Sequence, residues 1–175
     1  MARKVLILDT SILCVWLKIP GRDIIDKEGE SKITYSEVKA KIDAEVKDST
    51  RIVLPLASII ECGNHITQIK RKDSQEYVNI FADFIEKSLE GEEPWDIFTN
   101  QSVLFTKERL KELVNTWKEL SQIGISMGDS SIIQVAQHYD SQGFTAEIYT
   151  GDTGLKAFDP QPKKSILPRN KGRRK

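Results

Sequence analysis

The sequence predicts an α/β fold in which helices cover both faces of a small, mainly parallel sheet. Two observations lead to this prediction. Short apolar runs that suit buried strands alternate with longer amphipathic stretches that suit helices, and no internal repeat interrupts the alternation. The chain has 175 residues, enough to bury a core within a single domain. We therefore expect one domain over residues 1–160, followed by a C-terminal tail over residues 161–175.

Residues 3–8 are predicted to form the first strand, because a continuous apolar run bounded by charged residues is typical of a parallel sheet. A short helix over residues 11–18 should follow, and the Pro20-Gly21 pair should end it. Residues 22–33 are polar and mixed, which indicates a loop.

The second strand candidate is the apolar run at residues 51–54, which Pro55 should end. The helix before it should begin at Thr34, because Thr34 and Glu37 form a capping-box pattern, and should extend to about residue 48.

Two amphipathic helices are predicted next. The first covers residues 56–71 and leaves Glu61 on the side away from its apolar face, which consists of Leu56, Ile59, Gly63, Ile66 and Ile69. The second should begin with Ser74 as its cap and end at Gly91. Its predicted inner face consists of Tyr77, Ile80, Phe81, Phe84, Ile85 and Leu89.

The last third of the chain predicts two helices and a strand. Residues 92–95 begin an acidic connection for which the sequence predicts no particular structure. Thr106 should cap a helix that ends at Gly124. The inner face of that helix is predicted to hold Leu110, Leu113, Val114, Trp117 and Leu120. Asp129 should open the next helix, with its carboxylate in register with the inward-facing Ile132, Ile133, Ala136 and Tyr139. Residues 146–150 are the final strand candidate.

Composition favours a cytoplasmic protein. The chain has no secretory signal pattern at its start and no apolar run long enough to cross a bilayer. Cys14 and Cys62 lie far apart in the sequence, so we expect reduced thiols. Neither His65 nor His138 has a spacing from them that zinc sites use, which makes a zinc site unexpected.

The charge is unevenly distributed although the net charge is zero. Residues 163–175 hold seven basic side chains and no acid, so residues 1–162 hold 19 basic against 26 acidic side chains. We expect the tail to be flexible and to contact RNA phosphates through Lys163, Lys164, Arg169, Lys171, Arg173 and Arg174.

Four carboxylates occupy unusual places in the predicted fold. Asp9 and Asp152 each follow a strand candidate, and ligands of open α/β sheets bind beyond the carboxyl ends of the strands. Glu61 and Asp129 lie on helices that could reach the same crevice. Taken singly, three of these residues read equally well as helix caps, and Glu61 as a solvated helix residue. Their joint placement favours a shared acidic pocket.

A shared acidic pocket requires a cation. Two unit negative charges 4 Å apart repel by roughly 4 kcal/mol at an effective dielectric constant of about 20. Hard oxygen ligands in a half-open pocket suit Mg²⁺ or Mn²⁺, which can activate water for phosphodiester hydrolysis. The hydroxyls of Thr10, Ser11 and Thr150 lie beside the acids in the sequence and could orient them, or could simply be capping and strand residues.

The order of these segments resembles the PIN-domain ribonucleases, including the toxins of toxin–antitoxin pairs. The resemblance covers residues 3–158 and consists of Leu8-Asp9-Thr10-Ser11, Glu61, Asp129-Ser130-Ser131-Ile132-Ile133 and Thr150-Gly151-Asp152. It implies a three-layer, Rossmann-like α/β/α fold and RNA cleavage that depends on Mg²⁺ or Mn²⁺. It also implies that Asp9, Asp129 and Asp152 hold the metal and that Glu61 completes the catalytic pocket.

The resemblance further implies an antitoxin-like inhibitory protein as a partner, and a homodimer. Extra sequence at residues 20–33 and 90–105, and Ser130-Ser131 in place of small apolar residues, depart from a compact toxin. Two other functions stay open. One is a non-catalytic PIN-like module that binds RNA or protein. The other is a phosphatase of the haloacid-dehalogenase type, although that reaction wants an Asp where this chain has Ser11.

Overall fold

The computed structural model describes residues 3–26 and 32–160 and confirms the predicted α/β fold. Its strands are β1 (Lys4–Leu8), β2 (Arg51–Leu54), β3 (Trp95–Ile97) and β4 (Thr145–Tyr149). All pair in parallel, in the order β3-β2-β1-β4. The helices are α1 (Thr10–Trp16), α2 (Tyr35–Lys47), α3 (Leu56–Thr67), α4 (Arg71–Leu89), α5 (Lys107–Leu120), α6 (Met127–Ser141) and α7 (Thr153–Lys156). Two 3₁₀ segments cover Phe98–Phe105 and Ser121–Ile123.

The side chains of β1 show how the three-layer, Rossmann-like arrangement is built. Leu6 and Leu8 point into one core with α1, α2, α3 and α4, and Val5 and Ile7 point into a second core with α6 and α7. All four side chains are fully buried. Alternate residues of a strand face opposite sides of the sheet, so a run that is apolar at every position needs cover on both faces.

Two predicted helix starts are wrong. Helix α4 begins at Arg71 after Lys70, three residues before the predicted cap Ser74. Helix α6 begins at Met127, and its N-cap is Ser126 rather than Asp129. For α6 the difference arises because Asp129 is the third helical residue and caps from within the first turn.

The connection between α4 and α5 contains a strand and a 3₁₀ segment that the sequence does not predict. Strand β3 pairs with β2 through Trp95, Asp96 and Ile97, and the 3₁₀ segment follows it directly. Three residues with a buried acid at the centre have neither the length nor the alternation that predicts a strand.

The predicted inner faces of α4 and α5 are too wide. Ile80 and Leu89 on α4 are exposed, and so are Leu110 and Val114 on α5. Helix α4 packs on α3 and on the edge strand β3, and α5 packs mainly on α6, so both lie at the periphery of the helix layers. A helix in that position buries a narrower stripe than one lying between a sheet and another helix.

Among the described residues, none of the helices combines the length and the apolar character that crossing a bilayer would require.

Candidate active site

The candidate site lies where the order of the strands reverses. The chain runs from β1 outward to β2 and β3, whereas β4 pairs on the other side of β1. The last pair of this register joins Leu8 to Tyr149. Parallel strands end at the same edge, and the crevice at such a reversal is the usual ligand site of open α/β sheets. The topology therefore brings the residues after β1 and after β4 together.

Asp9 is the best-held carboxylate at this edge. Its backbone N–H donates to the carbonyl of Tyr149 at 3.0 Å, which continues the ladder between β1 and β4 by one residue. Oδ1 accepts from the N–H of Thr10 at 2.6 Å, and Oδ2 accepts from the hydroxyls of Ser11 and Thr150, each at 2.7 Å. The residue is only 6% exposed, so three donors fix its orientation. The hydroxyls of Ser11 and Thr150 thus contact Asp9 directly, as the orienting role predicted for them requires.

Asp152 is linked to Asp9 through the same hydroxyls. The Thr150 hydroxyl also accepts from the N–H of Asp152 at 2.9 Å, and Ser11 Oγ accepts from the N–H of Gly151 at 3.2 Å. Asp152 caps α7, since its Oδ1 accepts from the N–H groups of Gly154 and Leu155 at 2.7 and 3.3 Å. Among the described residues Oδ2 of Asp152 has no hydrogen-bond partner. Asp152 can therefore cap α7 through Oδ1 and still leave Oδ2 available for a ligand.

Asp129 is the third residue of α6 and forms a reciprocal capping box with Ser126. Its Oδ2 accepts from the Ser126 hydroxyl at 2.7 Å and from the Ser126 N–H at 3.3 Å. Both bonds fall on one oxygen, as in Asp152. The first turn of a helix also favours a negative charge through its exposed N–H groups.

Glu61 approaches the group from α3. Its Oε2 accepts from the Thr10 hydroxyl at 3.0 Å, and its Oε1 lies 3.9 Å from Nε2 of His65 one turn later. A Cβ added to Gly128 would lie 3.8 Å from Glu61 Oε2, so the start of α6 is close by. The Glu61 side chain is 52% exposed, which makes it the least constrained of the four acids.

Asp9, Glu61, Asp129 and Asp152 all line one open cleft of about 460 Å³. The cleft thus brings together every carboxylate that the sequence singled out, together with Thr10 and Ser11. Thr150 lies behind Asp9 and is buried. The basic residues predicted to bind RNA, from Lys163 to Arg174, lie outside the described residues.

The electrostatics of the cleft centre on Asp9. Burial raises the pKa of the Asp9 carboxyl above its ordinary value, and the negative charge of Asp129 acts in the same direction. The hydrogen bonds from Ser11, Thr150 and Thr10 act against this rise. The ionised form of Asp9 is therefore held at a cost in free energy, which a cation in the cleft would offset.

The donor set suits a hard cation, but it is not gathered around one point. Within residues 3–26 and 32–160, no three Asp, Glu, His or Cys side chains are grouped so that they could hold a metal ion. Carboxylate oxygens are the ligands that Mg²⁺ and Mn²⁺ prefer. Oδ1 of Asp129 and Oδ2 of Asp152, which have no hydrogen-bond partner among the described residues, leave room for coordination. Metal binding by Asp9, Asp129 and Asp152 stays a prediction.

Several residues of the cleft were not predicted. The loop after α1 contributes Gly21, Arg22, Ile24 and Ile25, and Cys14, His65 and Ser126 complete the lining. Ser126 could have been found from the spacing Ser126-x-x-Asp129, which is a capping-box signal. Cys14 and Cys62 were expected as reduced thiols and are free, yet their buried sulfurs lie 3.7 Å apart beneath the cleft. No sequence signal joined them, because α1 and α3 meet only in the folded chain.

Comparison with family models, with curated proteins and with solved structures gave no match to this chain.

Proposed function

We propose that this protein is a divalent-metal-dependent endoribonuclease that hydrolyses RNA phosphodiester bonds in the acidic cleft. One observation supports the proposal above all others. Four carboxylates from four separate places, after β1, on α3, on α6 and after β4, line the same open cleft at the strand-order reversal. Capping explains single acids, but it does not explain why all four border one cavity.

The four carboxylates would have different roles, depending on how firmly each is held. Asp9, Asp129 and Asp152 would hold Mg²⁺ or Mn²⁺, which supplies an activated water and stabilises the leaving oxygen. Glu61, half exposed and anchored by Thr10 alone on Oε2, can reach a water and accept its proton. Ser11 and Thr150 keep Asp9 in one orientation, so the arrangement is set before substrate arrives.

The proposal also includes more specific points. The protein would be a toxin that an antitoxin-like protein inhibits, would form a homodimer and would act in the cytoplasm. An open acidic cleft can be blocked by a partner that supplies a basic side chain, because the burial of opposite charges at an interface gives specificity.

Cleavage assays with purified protein test the proposal. Structured and single-stranded RNAs are incubated with Mg²⁺, with Mn²⁺ and with a chelator, using the wild type, Asp9→Asn and Asp43→Asn. Asp43 is a matched control, because it is an exposed acid on α2 that pairs with Lys39 and does not line the cleft. We expect metal-dependent cleavage by the wild type and Asp43→Asn, and a loss of at least about 100-fold in Asp9→Asn. Equal rates for wild type and Asp9→Asn would refute the proposal.

Thermal unfolding tests the metal site without turnover. A ligand at 100 times its dissociation constant stabilises the folded state by about 2.7 kcal/mol. For a chain of this size, that corresponds to a melting temperature about 5–11 °C higher. We expect such a rise with Mg²⁺ or Mn²⁺ and none in Asp9→Asn. Hydrolysis of a small aryl phosphate, with RNA left intact, would instead support a phosphatase.

A further inference from the structure

One wall of the acidic cleft is formed by the loop after α1, which the proposed chemistry does not use. Gly21, Arg22, Ile24 and Ile25 line the cleft together with the four carboxylates. Among the described lining residues, Arg22 is the one permanently cationic side chain. An arginine beside four acids either neutralises one of them or meets a negative group of the ligand.

The backbone of this loop is held in place at both ends. The N–H of Arg22 donates to the carbonyl of Ile19 at 2.9 Å, and Ile19 is buried. Ile25 exchanges both backbone hydrogen bonds with Ile33, at 3.0 and 2.9 Å. The Ile25 side chain also packs directly over Gly151, next to Asp152. Arg22, which is exposed, therefore lines the cleft from a stretch of backbone that is hydrogen-bonded on both sides.

The guanidinium of Arg22 is not committed to an acid of the cleft. Within the described part of the chain, no carboxylate lies within 4.0 Å of its nitrogens. Its positive charge nevertheless reaches the interior of the site. Burial lowers the pKa of His65, and the charge of Arg22 lowers it further.

An RNA strand brings a negative charge with every phosphate into a cleft that is already acidic. A divalent metal held by the carboxylates would offset at most two of the four negative charges of the acids, so a phosphate that enters the cleft needs a further cation. Arginine suits this position, because its planar fork donates two parallel hydrogen bonds to phosphate oxygens.

We propose that Arg22 binds a phosphate of the RNA strand beside the carboxylate group and thereby fixes the path of the strand through the cleft. The inference rests on the proposed function and adds a substrate-positioning residue to it. Because Arg22 holds substrate rather than the reacting water, its removal should act on KM and leave kcat nearly unchanged.

Steady-state kinetics on a short single-stranded RNA test the inference with Arg22→Gln, Arg22→Lys and Arg109→Gln. Arg109 is the matched control, because it is an arginine on α5 that pairs with Glu112 and lies outside the cleft. We expect Arg22→Gln to raise KM about tenfold or more with kcat within about twofold, and Arg22→Lys to recover part of the loss. The dependence of RNA affinity on salt should also decrease by about one unit of slope. A loss confined to kcat, or an unchanged KM, would overturn the inference.

A binding measurement separates this inference from the nuclease proposal. Fluorescence anisotropy with the same RNA and Ca²⁺ needs no cleavage. If the wild type binds but never cuts, and Arg22→Gln binds about tenfold more weakly than Arg109→Gln, the role of Arg22 stands while the nuclease proposal fails. Equal binding by all variants, with a higher Mg²⁺ affinity in Arg22→Gln, would mean that Arg22 only neutralises the acids, and the inference would be wrong.

Discussion

The contact between Gly151 and Ile25 provides the sharpest structural prediction. A Cβ built on Gly151 would lie 2.7 Å from Ile25 Cγ2 and 2.9 Å from Ile25 Cδ1. Ile25 cannot simply withdraw, because its N–H and its carbonyl are both bonded to Ile33. Gly151→Ala must therefore shift either the Ile25 side chain or the segment between Thr150 and Asp152. Overpacking of this kind costs about 1–3 kcal/mol.

Thermal and chemical unfolding measure this cost. For a protein of this size, about 1–3 kcal/mol lowers the melting temperature by about 2–12 °C. Gly63→Ala is the matched control, since its Cβ would meet Phe81 at an ordinary 3.5 Å within α3. A helical Gly→Ala change without a clash stabilises by about 0.5–1 kcal/mol, so the two alanines should act in opposite directions.

A double-mutant cycle shows whether the Ile25 contact is the cause. Ile25→Ala shortens the side chain that the new Cβ would meet, so Gly151→Ala should cost less in that background, with a coupling of about 0.5–3 kcal/mol. The reasoning is refuted if Gly151→Ala is as stable as wild type, or if its cost is the same with and without Ile25.

Three further outcomes are expected. Asp9→Asn should abolish cleavage. Because burial raises the pKa of the Asp9 carboxyl, this variant should nevertheless melt no lower than wild type in chelator. Any gain in melting temperature should shrink as the pH falls through the raised pKa, and calorimetry across pH can check this. Glu61→Gln should lose less activity than Asp9→Asn, since Glu61 is half exposed, and initial rates under equal metal would reveal the ranking. Although burial opposes it, hydrogen bonds from Lys4, Lys41 and Thr50 lower the pKa of Glu45 to about 2. Glu45→Gln should therefore melt lower at pH 7, and the gap should close as the pH falls from about 4.5 to about 2.

The order of the elements could be predicted because the apolar runs carry that information locally. The strand candidates at residues 3–8 and 146–150 hold mostly apolar side chains beside charged or turn residues. Strands β1 and β4 of the parallel sheet lie there, over Lys4–Leu8 and Thr145–Tyr149. The capping pattern of Thr34 and Glu37 likewise marked the start of α2 correctly. These signals lie within one element, so the sequence reveals them without any knowledge of tertiary contacts.

Strand β3 could not be predicted, because tertiary pairing decides it. Trp95–Ile97 is a strand since it bonds to β2, and buried Asp96 is tolerated there because Tyr139 donates to it and Arg51 lies 3.3 Å away. Each of those partners comes from a distant part of the chain. The buried acid removes the apolar alternation that would have indicated a strand.

The candidate site likewise has one part that the sequence predicts and another that depends on tertiary contacts. The convergence of Asp9 and Asp152 follows from topology, since each comes directly after one of two neighbouring parallel strands. The contribution of Arg22 and Ile25 depends on a polar loop folding back over Gly151, for which composition gives no signal. A glycine between a threonine and an aspartate reads as a turn residue, whereas its structural reason is the isoleucine that packs against it.

The hydroxyls around Asp9 explain how an acidic cleft can fold before any cation binds. An ionised carboxylate accepts about four hydrogen bonds, and Asp9 already receives three, from Thr10, Ser11 and Thr150. These donors offset part of the charge and leave capacity for one more ligand. Asp129 and Asp152 meanwhile satisfy one oxygen each at a helix start, where a negative charge is favoured. The same local interactions that make Asp9, Asp129 and Asp152 look like ordinary caps therefore stabilise each of these carboxylates within the cleft.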